Sequence, residues 1–138
     1  MKIRFIQLLT LALLVAGATR ATALDGVVIA HESAPAASLT PAALKDILTG
    51  KTMYWDGGEA IVIVYVEQAD AALKEASGMD SSAFKTFWQR LAFSGRAKPP
   101  KKADDVAAAV AAVAATKGAI AVVTSDATLT GVRKLEVK

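Results

Sequence analysis

The run Ile61-Val62-Ile63-Val64-Tyr65-Val66 constrains the fold more than any other stretch of this chain. Successive side chains of a strand point to opposite faces, so six apolar residues in a row leave neither face for water. Such a strand has to be covered on both sides, as parallel strands flanked by helices are. Gly26-Val27-Val28-Ile29-Ala30 and Ala119-Ile120-Ala121-Val122-Val123 repeat the pattern. Val132 to Val137 is more polar and predicts a strand at the sheet edge, where Arg133, Lys134 and Glu136 can meet water.

Helix signals fill the intervals. Thr40 can cap a helix that begins at Pro41, with Leu39 and Leu44 at the spacing of a hydrophobic staple. Leu44, Ile47 and Leu48 make its apolar stripe, and Gly50 supplies a left-handed exit. A weaker helix around Gln68 to Ser77 offers Ala69, Ala72, Leu73 and Ala76 to a core. Asp80 caps the next, on which Phe84, Phe87, Trp88 and Leu91 recur at i, i+3, i+4 and i+7, with Gly95 at its end. Asp104 to Thr116 is nearly all alanine and valine, with Val106, Val110 and Val113 as a narrow seam and Gly118 as the exit. Strands alternating with helices predict an α/β fold: a three-layer sandwich around a mainly parallel sheet. The segments His31 to Leu39 and Arg96 to Lys102 read as loops, the latter basic and proline-containing.

The first residues stand apart from this pattern. Lys2 and Arg4 precede an apolar run from Phe5 to Ala18, and Ala21-Thr22-Ala23 follows as a small-x-small site. This layout predicts a secretory signal peptide over residues 1–23, cut after Ala23, with residues 24–138 as one domain. The alternative, an uncleaved anchor, is disfavoured because such a run reaches only about 21 Å against a hydrocarbon core of roughly 30 Å. The expected location is periplasmic or secreted, without membrane insertion after cleavage. Lys2, Arg4 and Arg20 would leave with the signal, so thirteen basic residues would face thirteen acidic ones. A nucleic-acid partner needs a basic footprint, and a neutral domain does not supply one. The absence of cysteine removes disulfides, thiolate metal sites and thiol nucleophiles.

In open α/β sheets ligands collect beyond the carboxyl ends of the strands. Those ends carry Ser33 after the first strand, Gln68 after the second, and Thr124 and Ser125 after the third, which are the ligand-binding candidates. Polar residues after strands are also ordinary loop chemistry. Arg96 joins the candidates from the basic loop, where Lys98, Lys101 and Lys102 lie close by. That loop also reads as a solvated segment with Asp104 and Asp105 near enough to pair with its charges. Trp55 before Asp56-Gly57-Gly58 reads as cover for the sheet edge beside a turn, and Trp88 as core. His31 is the sole histidine, too little for a metal site, and no hydrolase elbow, zinc helix or phosphate loop occurs. Neither an enzyme nor a cofactor or metal protein is expected.

Two stretches carry a family resemblance. One is Leu48-Thr49-Gly50-Lys51 leading to Trp55-Asp56-Gly57-Gly58 and the apolar strand; the other is Phe87-Trp88 to Phe93-Ser94-Gly95 with Lys98-Pro99-Pro100, followed by Gly118-Ala119-Ile120-Ala121. From Val27 onward the chain resembles the phosphate-type substrate-binding proteins of ABC transporters, in a short form with one lobe standing alone. The resemblance implies one lobe of a type II periplasmic binding protein, and a small solute or oxyanion as ligand. It also implies an Arg and a Ser-Gly-Thr run after the central strand, where this chain has Glu67-Gln68-Ala69-Asp70. Two carboxylates there oppose an anion: at ~5 Å and an effective dielectric of ~20, each charge pair costs about 3 kcal/mol. The expected function is therefore an exported recognition module without the usual phosphate grip. The alternative is an interaction domain that pairs with itself as a homodimer or with an envelope protein and binds no small solute.

Overall fold

A computed structural model of the chain describes residues 26–138; the expected signal peptide lies outside them. Six strands form one sheet: β1 (Val27–His31), β2 (Ser38–Leu39), β3 (Val62–Val66), β4 (Lys101–Ala103), β5 (Ala119–Val123) and β6 (Val132–Val137). Their order is β2-β6-β1-β5-β3-β4. β3 pairs in parallel with both β4 and β5, and β2 with β6, whereas β1 runs antiparallel to its neighbours β5 and β6. Five strands thus point one way and β1 alone points back. The sheet is mainly parallel, as expected, with one reversal that the residues of β1 do not announce.

Four α-helices cover the two faces: α1 (Pro41–Leu48), α2 (Asp70–Ser77), α3 (Ser81–Phe93) and α4 (Val106–Ala115). The strand alternation sorts the core into two layers. Ile63, Tyr65, Ile120 and Val122 pack with Leu44, Leu48, Leu73, Phe84 and Trp88 of α1, α2 and α3. Val64, Val66, Ala121 and Val123 pack with Ala109, Val110 and Val113 of α4. This is the three-layer sandwich, and it follows from apolar residues at consecutive strand positions. Alanine at Ala109, Ala119 and Ala121, each fully buried, lets α4 approach the sheet closely.

Local signals place the helices. Thr40 Oγ1 accepts from Ala43 N at 3.0 Å, and Asp80 Oδ1 from Ala83 N at 2.8 Å, so both expected caps form. Asp105, not Asp104, caps α4, accepting from Ala108 N at 2.7 Å. α1 and α3 end on the same turn. Gly50 and Gly95 adopt positive φ; their N–H groups donate to Ile47 and Ala92, and those of Lys51 and Arg96 donate to Asp46 and Leu91. That is a Schellman closure, and it satisfies the last carbonyls of each helix.

Three expectations need correction, the first being the His31 to Leu39 loop, whose last residues Ser38–Leu39 pair with β6 as β2. β6 is not the edge strand: β2 pairs outside it, and Arg133 turns back to donate to the Ala34 carbonyl at 2.8 Å. The Arg96 to Lys102 loop ends sooner than expected, because Lys101 to Ala103 pairs with β3 as the other edge. Trp55 is buried, and its Nε1–H donates to the Gly118 carbonyl at 3.1 Å, tying the Asp56-Gly57-Gly58 turn to the start of β5.

Candidate functional site

The sheet has two unlike edges. Beyond the carboxyl ends of β3, β4 and β5 lie Glu67, Gln68, Asp104, Asp105, Thr124 and Ser125. The His31-Glu32-Ser33 segment does not join them. Because β1 is reversed, with Ala30 opposite Ile120 and Val27 opposite Val123, Ser33 falls at the amino edge. There its Oγ lies 2.8 Å from His31 Nδ1, a local turn exposed to solvent. Arg96 also belongs to the amino edge, beside the residues that lead into β3. The five sequence candidates therefore divide, with Gln68, Thr124 and Ser125 on one edge and Ser33 and Arg96 on the other.

On the carboxyl edge, the starts of α3 and α4 are occupied by the chain's own side chains, whereas the start of α2 has no side-chain cap and carries the Glu67 and Asp70 carboxylates beside it. Helix N–H donors are unpaired within the first turn and attract negative groups. Gln68 Oε1 accepts from Val106 N at 2.9 Å, so with Asp105 it fills the start of α4. Asp70 Oδ1 accepts from Ser81 N, so with Asp80 it fills the start of α3. Glu67 pairs with Lys102 at 2.8 Å, both side chains well exposed, which neutralises the cation nearest this edge. The Glu67 hydrogen bond and charge hold the Lys102 ammonium above its ordinary range. Thr124 and Ser125 remain half-buried and exposed, on the turn that Ala127 N closes onto the Thr124 carbonyl.

Asp70 makes a testable contribution here. The Ser81 hydroxyl, then the Ser81 N–H, hold its carboxyl below the usual carboxylate range. A depressed folded-state value means stability that is present above the unfolded value and is lost as pH falls through the folded one. The Asp70→Asn protein is therefore expected to show a shallower loss of melting temperature between about pH 5 and pH 2 than the parent. Parallel melting curves across that range would remove Asp70 from the account.

The amino edge holds the larger hollow, a cleft of about 680 Å³. Its walls are the two segments that leave the Schellman turns, Thr52-Met53-Tyr54 after α1 and Arg96 to Lys101 after α3. Its floor is Ile61 to Ile63, with Ile47 and Trp88 behind. The Trp88 Nε1–H is already spent on the Leu48 carbonyl at 3.0 Å. A smaller hollow of about 120 Å³ continues past Pro99 and Pro100 along α3. Sequence reading found Arg96 but missed this cleft, whose walls lie some forty residues apart in the chain. Among the described residues no group of three or more metal-ligating side chains comes together.

The model of the PBP superfamily domain matches residues 17–136. The chain belongs to that family. Two solved structures share the fold. One is assigned as a phosphate ABC transporter substrate-binding protein from Clostridium perfringens, with bound phosphate; it has 22% identity and a TM-score of 0.63 over 82% of this chain and 45% of that one. The other, an ABC-type phosphate transport receptor from Vibrio cholerae, has 16% identity and a TM-score of 0.55 over 80% and 45%. The chain thus spans less than half the length of either. No curated protein matches it. Among the described residues of this PBP-superfamily member, no helix is long and apolar enough to cross a membrane.

Proposed function

We propose that this chain is an exported recognition module: one lobe of a periplasmic-binding-protein-like fold whose carboxyl edge no longer grips free phosphate. The observation that carries the reading is the filling of the α3 and α4 starts on that edge, with the Glu67 and Asp70 carboxylates standing at the uncapped start of α2. Gln68, Asp105, Asp70 and Asp80 sit where an oxyanion would take its backbone donors, and the N–H groups of Val106, Ala108, Ser81 and Ala83 are already engaged. An incoming phosphate would have to displace four acceptors at α3 and α4, three of them carboxylates, or approach the α2 start against Glu67 and Asp70. The exchange gains few hydrogen bonds and adds like-charge repulsion. The kinship with phosphate-binding structures supports a binding role over a catalytic one. Export rests on the charge and hydropathy layout of residues 1–23.

Thermal denaturation tests the reading. A site filled at 100 times its dissociation constant adds ~2.7 kcal/mol, a shift of about 10 °C for a domain of this size. Millimolar phosphate or sulfate is expected to move the midpoint by less than about 1 °C. A shift of several degrees with phosphate would overturn the proposal.

A second reading, a protein-interaction domain, has one observation in its favour. The carboxyl edge is open on this single lobe, and neither of the two hollows described above touches it. A small solute is usually enclosed over most of its surface, whereas a flat polar edge suits a protein partner, a second copy of the chain included. Light scattering that returned a monomer at high micromolar concentration would count against self-pairing.

A further inference from the structure

The geometry points to a separate ligand site in the amino-edge cleft, one that takes an organic anion with a flat apolar body. The volume of about 680 Å³ falls within the range of small-molecule sites. Its surface is chemically one-sided. Met53, Tyr54, Ile61, Ala97, Pro99 and Pro100 supply apolar contact, and no Asp or Glu lines it. Tyr54 is 63% exposed, an aromatic ring standing at the mouth without cover. Pro99 and Pro100 have no N–H, so that stretch of wall presents carbon and carbonyl only.

Charge decides which apolar molecule fits. Arg96 and Lys98 line the cleft, and neither takes part in a salt bridge among the described residues, where the pairs formed are Lys102–Glu67 and Lys138–Glu136. The pairing with Asp104 and Asp105 that the sequence suggested does not form. Asp105 is committed to capping α4, and Lys102 takes Glu67 instead. Lys101 contributes less charge here, because its register partner Val64 faces α4 and a strand neighbour shares that face. The helix ends nearby are C-termini with partial negative charge, which Arg96 and Lys98 have to outweigh, but the Schellman turns have satisfied carbonyls that could otherwise take those cations. Two unpaired cations over an apolar, carboxylate-free floor match a carboxylate or sulfonate carried on an aromatic or aliphatic body. The site lies across the sheet from the carboxyl edge, so it stands or falls independently of the phosphate question.

Amide-detected NMR titration and calorimetry of the purified protein with 2-naphthoate test the site, with the neutral 2-naphthalenemethanol and inorganic phosphate as comparison probes. The naphthoate is expected to bind at submillimolar concentration and to perturb Met53, Tyr54, Ile61, Ala97 and the Trp88 indole. The neutral alcohol should bind about tenfold more weakly or worse, as should naphthoate to the Arg96→Ala/Lys98→Ala protein, because a charge-assisted bond is lost. Lys134→Ala, on a distant strand, should bind like the parent, and all variants should melt within about 2 °C of it. Raising the salt concentration should weaken the naphthoate complex. Absence of naphthoate binding at several millimolar, equal binding of the alcohol, or unaltered affinity in the double variant would each overturn the proposal. Phosphate perturbing Gln68 and Val106 would overturn the reading of the carboxyl edge while leaving the amino-edge site intact.

Discussion

The Phe84→Ala protein is expected to lose about 3–5 kcal/mol of stability, a melting shift of roughly 12–20 °C for a domain of this size. Phe84 has no exposed surface and stands where α3 meets the sheet. Its ring meets Tyr65 of β3 edge-on at 5.2 Å between centroids and lies 6.2 Å from Trp88. Truncation removes the aromatic area and leaves a hole that the sheet on one side and α1 and α2 on the other cannot collapse into. Phe87, on the same helix, is only half-buried and touches Trp88 from the side at 6.1 Å. Its replacement by alanine should cost less than half as much. Calorimetry of both proteins separates the cases. A Phe84→Ala change within about 1 kcal/mol of the parent would mean that α3 is not docked as described.

The same ring shows why so much of the fold was legible. Strand residues that must be dry on both faces, and helices opened by Thr40 and Asp80 and closed by Gly50 and Gly95, announce themselves through side-chain chemistry. Each of these elements formed where its residues placed it. What the residues could not announce was anything set by a neighbour's backbone. β2 has two residues and β4 has three, mostly polar, and they are strands only because β6 and β3 present free hydrogen-bonding edges. The direction of β1 is likewise absent from Val27-Val28-Ile29-Ala30-His31, which reads the same either way along a buried sheet. That single reversal carries Ser33 across the molecule to the edge where the end of α3 already places Arg96. Gln68 was found as a polar residue after a strand, yet its engagement is with Val106, thirty-eight positions away.

The two edges of the sheet differ in what limits the binding of an anion. On the carboxyl edge, every acidic or amide side chain that closes a helix start removes a donor from a potential ligand, and stability and anion binding compete for the same N–H groups. On the amino edge the C-termini of α1 and α3 close on their own glycine turns, and Arg96 and Lys98 form no ion pair among the described residues. The unpaired Arg96 and Lys98 cations therefore stand at the amino edge, away from the helix starts.

Gly118→Ala should rank with Phe84→Ala in effect, by a mechanism that removes no contact. Gly118 adopts a φ of +82°, where an alanine is disfavoured by about 1 kcal/mol on backbone grounds alone. An added Cβ would also lie 2.2 Å from the Ala60 carbonyl oxygen and 3.1 Å from Glu59 Oε1. The Glu59 side chain can swing away; the Ala60 backbone cannot, since its neighbour Ile61 donates to the Met53 carbonyl at 2.9 Å. Relief has to come from moving Gly118, and its own carbonyl accepts from both Trp55 Nε1 and Val62 N at 3.1 Å. Displacement loosens those two bonds at about 1 kcal/mol each, which brings the expected cost to about 3 kcal/mol or more. Gly95 provides the comparison, with a φ of +72° and nothing within 4 Å of an added Cβ, so Gly95→Ala should cost only the backbone part, about 1 kcal/mol. Chemical denaturation of the two proteins isolates the steric contribution as their difference. Equal losses would show that the approach of Ala60 to Gly118 is not the constraint holding the Trp55 turn against β5.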